Sequence, residues 1–238
     1  AFTPDEEIGM GPAHFDVKKF GADFAYTLDG DTEGEIQYEN FNAARAVVEF
    51  TGVNVHPGSS KNTMVNAALV AIEFNSMLPS ADTPRDTEEY EGFFHLDAMN
   101  GNVSTAMLDY IIRDHDVASF DCRLKTMEHI AKILNEKWGE GTVKLTITEQ
   151  YRNMKEIIDT CMELIDCATA ACKECGTPAL ITPIRGGTDG ARLSFMGVPC
   201  PNLGTGGHAF HGPYEHITVE GMDIAVEVGL KIIELFYK

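Results

Sequence analysis

Positive charge is scarce in these 238 residues: 18 lysines and arginines stand against 37 aspartates and glutamates, a net charge of −19. That excess repels a phosphate backbone, so nucleic acid is not expected as a partner. Long apolar runs are missing as well. No stretch approaches the roughly 20 residues that a spanning helix needs, so no membrane partner is expected either. Cysteine is present but not as a framework. Of the six, Cys161, Cys167, Cys172 and Cys175 crowd into one predicted helical region, with Cys122 and Cys200 apart. Disulfide scaffolds spread their cysteines, so free thiols in a reducing cytoplasm are the expectation. Cys172-Lys-Glu-Cys175 has the spacing of a redox or zinc-knuckle pair. A second such pair is lacking and Gly176 stops the helix, so ordinary buried thiols are expected there.

What is present is an α/β pattern. The run at 22–28 reads as a buried strand ending at Asp29-Gly30, and a polar stretch at 31–39 marks a first boundary. Residues 43–51 read as a strand, followed by the turn His56-Pro57-Gly58 and a helix over 64–76. Two strand-like runs flank Asn100-Gly101, a hairpin signal. A helix over 119–138 and an alternating strand at 142–148 complete a β-α-β-β-α-β order, that of a ferredoxin-like module. The last third reads as a helix over 155–175, a strand at 179–184, a glycine-rich turn, a short helix, a strand at 199–203 and a final amphipathic helix. Met222, Ala225, Val226, Gly229 and Ile233 form the expected inner stripe of that last helix. The predicted organisation is an incomplete α/β domain, 1–40 and 153–238, carrying the small module, 41–152, as an insertion.

Several residues could carry chemistry. Glu6 and Glu7 are adjacent, so their side chains diverge and can hardly share one task. Such a pair suits a two-metal hydrolase, with one carboxylate on a cation and the other free to accept a proton; acidic residues at a helix amino terminus are the plainer alternative. Asp29 falls at the carboxyl end of a predicted strand, where open α/β sheets bind ligands. Asp29-Gly-Asp31-Thr-Glu33-Gly34 imitates a calcium loop, but its twelfth position is Asn40 and no helix precedes it, so calcium is not expected. His208 and His211 lie on a glycine-rich loop, and imidazole is the commonest nitrogen donor to zinc. Arg185 opens a Gly-Gly-Thr-Asp turn where a guanidinium fork could meet an anion. His56 and Arg113 sit in the inserted module, in a turn and at a strand end.

Taken together, PDEEIGMG, YTLDG, NVHPGSS, IIRDHD, IRGGTDGARLSFMGVPCPN and HGPYEHITVEGM, in this order, resemble the tripeptide-aminopeptidase branch of the M20 metallopeptidase family along essentially the whole chain. The resemblance implies a zinc-peptidase-like catalytic α/β domain with a ferredoxin-like lid and dimerisation domain. It implies Glu6 as general base, with Glu7, Asp29 and His211 as ligands of two zinc ions and no such role for His208. It further implies that His56 reaches across a homodimer to polarise the scissile carbonyl, while Arg113 and Arg185 hold the terminal carboxylate of a tripeptide. Family members also carry a His-x-Asp pair and a bridging Asp upstream of the PDEE segment. These have no counterpart here, so the chain is expected to be the carboxyl-terminal portion of a longer enzyme and inactive by itself. Another hydrolase of the family, a dipeptidase or N-acyl amino acid deacylase, and a non-catalytic dimerisation or peptide-binding module remain as alternatives.

Overall fold

The computed structural model describes residues 1–4 and 11–237. It divides into two compact units, one formed by Ala1–Phe41 with Arg152–Lys238 and the other by Asn42–Tyr151. In chain order the first unit opens with α1 (Val17–Phe20), β1 (Thr27–Leu28) and β2 (Glu35–Gln37). The second unit holds β3 (Asn42–Thr51), α2 (Ala67–Ser76), β4 (Phe93–Gly101), β5 (Thr105–Asp114), α3 (Val117–Trp138) and β6 (Val143–Tyr151). The first unit resumes with α4 (Lys155–Ile158), α5 (Glu163–Glu174), β7 (Leu180–Ile181), α6 (Asp189–Phe195), β8 (Asn202–Leu203), β9 (Gly207–His208), β10 (His216–Ile217) and α7 (Val219–Tyr237).

The second unit is an antiparallel sheet in the order β4-β5-β3-β6. With one helix after its first strand and one after its third, that order is the ferredoxin-like arrangement. Alternation explains the inner face: Ala44, Ala46, Val48 and Phe50 of β3 are buried while Arg45, Glu49 and Thr51 are exposed. Helix α2 covers that face with Ala67, Val70, Ala71 and Phe74, and α3 with Phe120, Met127, Ile130 and Leu134, at helical spacing. Asn66 caps α2 by accepting from the amides of Ala68 and Leu69, and Asp116 caps α3 through Ser119.

The β4–β5 turn lies one step beyond the expected Asn100-Gly101. Both of those residues remain in the strand, and the chain reverses at Asn102, whose side-chain oxygen accepts from the amides of Ser104 (2.8 Å) and Thr105 (3.2 Å). An asparagine closing its own turn outcompetes the Asn-Gly signal. Gly101 serves a different purpose, since a Cβ there would stand 2.5 Å from that of Ala106.

In the first unit a small mixed sheet runs β1-β8-β2-β7, with β1 parallel to β8 and β2 antiparallel to it. Ile36 and Leu203 pack with Ile165, Ala168, Ala171 and Cys172 of α5 and with Val228 and Ile232 of α7. Three expectations change here. The strand at 22–28 contracts to two residues, although Ala25 still donates to Pro199 and extends the ladder. The helix over 155–175 is broken into α4 and α5 by a turn at 159–162. Strand β2 arises inside the stretch read as a polar boundary, with Ile36 wholly buried.

The inner stripe of α7 is the clearest correction. Met222, Val226 and Ile233 are 44%, 58% and 66% exposed, whereas Val228 and Ile232 are buried. The helix is apolar around most of its girth, so periodicity does not choose a face; its packing on α5 does. Among the described residues no helix is long and apolar enough to cross a membrane.

Candidate functional site

Asp29 follows β1 at its carboxyl end, and the loop carrying His208 and His211 follows the neighbouring parallel strand β8 at its own carboxyl end. Parallel pairing therefore sends both segments out on one side of the sheet, the side on which open α/β sheets bind ligands. Hydrogen bonds then stitch them together. Asp29 donates its amide to Leu203 (3.1 Å), Thr205 donates its hydroxyl to the Gly30 carbonyl (3.0 Å), and Gly206 donates to the Asp31 carbonyl (2.7 Å).

A buried amide anchors this edge from below. Asn202, 2% exposed, accepts from the Thr27 hydroxyl (2.7 Å) and donates to the side-chain oxygen of Gln37 (2.7 Å) and to the carbonyl of Asp29. Buried polar side chains are tolerated when such bonds are complete, and a complete set fixes one geometry. The sequence reading did not single out Asn202, Thr27 or Gln37. An asparagine within an otherwise apolar strand, VPCPNL, was the available signal. Glu35 lies on the same strand as Gln37, and its carboxyl is raised above the ordinary value by burial first and by the Asp31 charge second.

Ala209 and His211 both adopt φ of 57°, a left-handed conformation rare for residues with a side chain, and the His211 amide donates to Glu215 (3.0 Å). His208 and His216 face each other across the β9–β10 ribbon with ring centroids 5.2 Å apart. Asp29 and His211 both have exposed side chains.

Arg185 is exposed and its guanidinium lies over the buried Phe41 ring, 5.1 Å from the centroid, while Phe41 donates its amide to Gly186. The ring's negative face attracts the cation and helps to hold the guanidinium in place. The thiols in this unit point elsewhere. Cys172 and Cys175 are raised by burial, and Cys200 is pushed up to about 12 for the same reason, so they stay protonated, the opposite of a reactive thiolate.

His56 and Arg113 belong to the second unit. His56 caps the short turn Pro57–Ser59, its Nδ1 accepting from the Gly58 amide (3.1 Å). In the neutral ring the proton is then on Nε2, which is exposed as a donor. Arg113 is half-buried, donates to the carbonyls of Ala44 (3.3 Å) and Ile112 (2.9 Å), and lies over the Tyr151 ring. Burial draws its pKa below the usual arginine value.

Glu6 and Glu7 lie outside the described residues. Among those described, no group of three or more His, Cys, Asp or Glu converges as a metal site. Asp29 and His211 offer a carboxylate oxygen and an imidazole nitrogen, donors of the right chemistry for zinc, which takes four ligands in a closed site. The two therefore fit part of a metal centre.

The chain is similar to known proteins over nearly its whole length. Residues 38–142 match the peptidase dimerisation domain of the M20 family. The chain is 57% identical over 235 residues to peptidase T of Clostridium perfringens, covering 99% of this chain and 58% of that protein. Among solved structures it resembles a tripeptidase of Staphylococcus aureus (20% identity, TM-score 0.85, 98% of this chain and 62% of that one). It also resembles the aminopeptidase PepT of Bacillus cereus (21%, 0.86, 99% and 63%). A dinuclear metal-binding M20 peptidase of Bacillus subtilis is similar at 14% identity and TM-score 0.73, with 98% of this chain and 63% of that one covered. At such identities the structures speak for the fold alone. The sequence match runs along nearly the whole chain, which spans a little over half the length of the peptidase T it matches and is similar to the M20 peptidases there, the dimerisation domain included.

Proposed function

We propose that this chain is part of a two-zinc aminopeptidase that releases the amino-terminal residue of tripeptides. The observation that carries the reading is the juxtaposition of Asp29 with the His211 loop at the carboxyl ends of paired parallel strands. Glu7, Asp29 and His211 would hold metal, and the bound pair would supply Lewis acidity toward the scissile carbonyl and a lowered pKa for the attacking water. Glu6 takes the proton of that water and passes it to the leaving amine. His56 donates from Nε2 to the carbonyl oxygen as negative charge develops there, the tautomer being set by Gly58. Arg185, braced on Phe41, and Arg113 receive the carboxylate at the far end of the peptide. Fixing that end places the scissile bond at a set distance from it, which favours a tripeptide over longer chains.

The second unit is proposed to join two copies of the chain. Its match to a peptidase dimerisation domain and its two edge strands, β4 and β6, support that role. Six unpaired thiols support a cytoplasmic location.

The test is a full-length protein carrying this chain with Glu6→Gln. Turnover of a tripeptide should disappear while metal content, measured by elemental analysis, stays at the wild-type level; retained turnover would remove Glu6 from the role. A panel of dipeptides and N-acyl amino acids run beside the tripeptide separates the neighbouring activities of the family.

A further inference from the structure

His208 and His216 have no task in the reaction above, and the fold places them directly opposite each other, as register partners in the antiparallel ribbon of β9 and β10. Side chains of directly opposed residues leave a sheet on the same face. The two rings stand 5.2 Å apart centre to centre, inclined by 37° rather than stacked in parallel, and both are exposed. One ring is also fixed in its tautomer. His216 places Nδ1 2.7 Å from the Tyr214 carbonyl, and a carbonyl oxygen can only accept. In the neutral ring the proton is therefore on Nδ1, and Nε2 keeps a bare lone pair. Ligand histidines are oriented in this way, with the second nitrogen donating to a carbonyl. The ribbon is rooted at both ends. Gly206, just before β9, donates to the Asp31 carbonyl (2.7 Å), and β10 leads into α7, whose Gly221 amide is capped by the Thr218 hydroxyl (2.9 Å).

We propose that His208 and His216 form a two-imidazole site for a divalent cation of the zinc class, separate from the metal centre of the proposed reaction. Two nitrogens at about 2.0 Å from one zinc ion, about 109° apart, put their ring centres about 5 Å from each other. The observed spacing of 5.2 Å meets that requirement. Water completes the coordination, since no third His, Cys, Asp or Glu converges there among the described residues. Imidazole pairs select zinc, nickel or copper over magnesium and calcium, which prefer oxygen. Between the two ligands runs the loop 209–215, which carries His211, and a ribbon of two residues per strand holds such a loop weakly by itself. A cation shared by His208 and His216 clips the ends of that loop together. The site stands on its own geometry and does not depend on the proposed peptidase reaction.

Calorimetric titration of the 238-residue chain with zinc chloride tests the site. His208→Gln and His216→Gln should each weaken one and the same binding event at least about tenfold, the loss typical of removing even a group that is only hydrogen-bonded to a metal ligand. Both side chains are exposed, so neither substitution touches the core. His211→Asn, at a position whose positive φ asparagine tolerates, should leave that event in place. Magnesium chloride at the same concentration should not produce it. Zinc binding that ignores both His208→Gln and His216→Gln, or that is lost with His211→Asn instead, overturns the site. Magnesium binding that is lost in the same two variants would overturn its preference for the zinc class. The clip is read by hydrogen–deuterium exchange in the His211→Asn chain. Saturating zinc should slow exchange over residues 207–217 about tenfold, and His216→Gln added to that chain should abolish the effect. Zinc that binds through both histidines without slowing exchange there overturns the clip.

Discussion

At the scale of single residues, charge pairs in the second unit have a legible pH dependence. Arg45 donates to both oxygens of Asp109, at 2.9 Å from Nε to Oδ1 and 2.5 Å from a terminal nitrogen to Oδ2. The hydrogen bond from Arg45 is the main reason the Asp109 carboxyl titrates below its usual range, with burial working the other way. A carboxyl depressed in the folded state adds stability above its unfolded pKa of about 4, and that stability is lost as pH falls through the lower folded value. The melting temperature of the chain should therefore drop on acidification below about pH 4, and Asp109→Asn should lower it at pH 7 and flatten that part of the profile. A profile unchanged by the substitution would show the pair to be thermodynamically idle. The residues of the candidate site differ in how far sequence reveals them. Asp29 follows a strand and His211 lies among glycines, both local signals. The support of Asp29 by Asn202 joins positions 173 apart and leaves no local trace.

Elements show where periodicity succeeds and where it fails. Strand β3 alternates and α3 repeats its apolar residues at helical spacing, so each declares its buried face. Helix α7 does not, because nearly every position from Met222 to Phe236 that is not acidic is apolar or small. Its neighbours Ile232 and Ile233 provide the measurement. Ile232→Ala should cost about 2–5 kcal/mol in urea unfolding of this chain, whereas Ile233→Ser, at a position 66% exposed, should stay within about 0.5 kcal/mol. Equal effects would mean that α7 is turned differently on α5. The short strands β1, β7 and β8 were misjudged in length for a related reason. A two-residue strand is defined by its partner's hydrogen bonds, and those partners are distant in sequence.

For the whole molecule, the proposal that His56 serves the partner's site predicts complementation. Full-length Glu6→Gln and His56→Ala proteins should each be nearly inactive alone. A heterodimer would hold one site with an intact Glu6 and a His56 supplied by the other copy. Random mixing after dissociation should then recover about a quarter of wild-type activity, from one competent site in the half of the dimers that are mixed. No recovery, with mixed dimers demonstrated by mass spectrometry, would place His56 in its own subunit's site or outside catalysis. The same experiment shows whether the second unit dimerises at all.

The sequence by itself determined the class of the fold, the ferredoxin-like order of the second unit, and the local candidates Asp29, His56 and His211. Those features arise from alternation, capping and turn chemistry within a few residues of one another. Only the tertiary structure decided which face of α7 is buried and that β1 and β8 run side by side to bring Asp29 beside the His211 loop. Each is a contact between positions far apart in the chain. A single sequence carries no periodic signal for such contacts, because their free energy exists only once the distant partners have met.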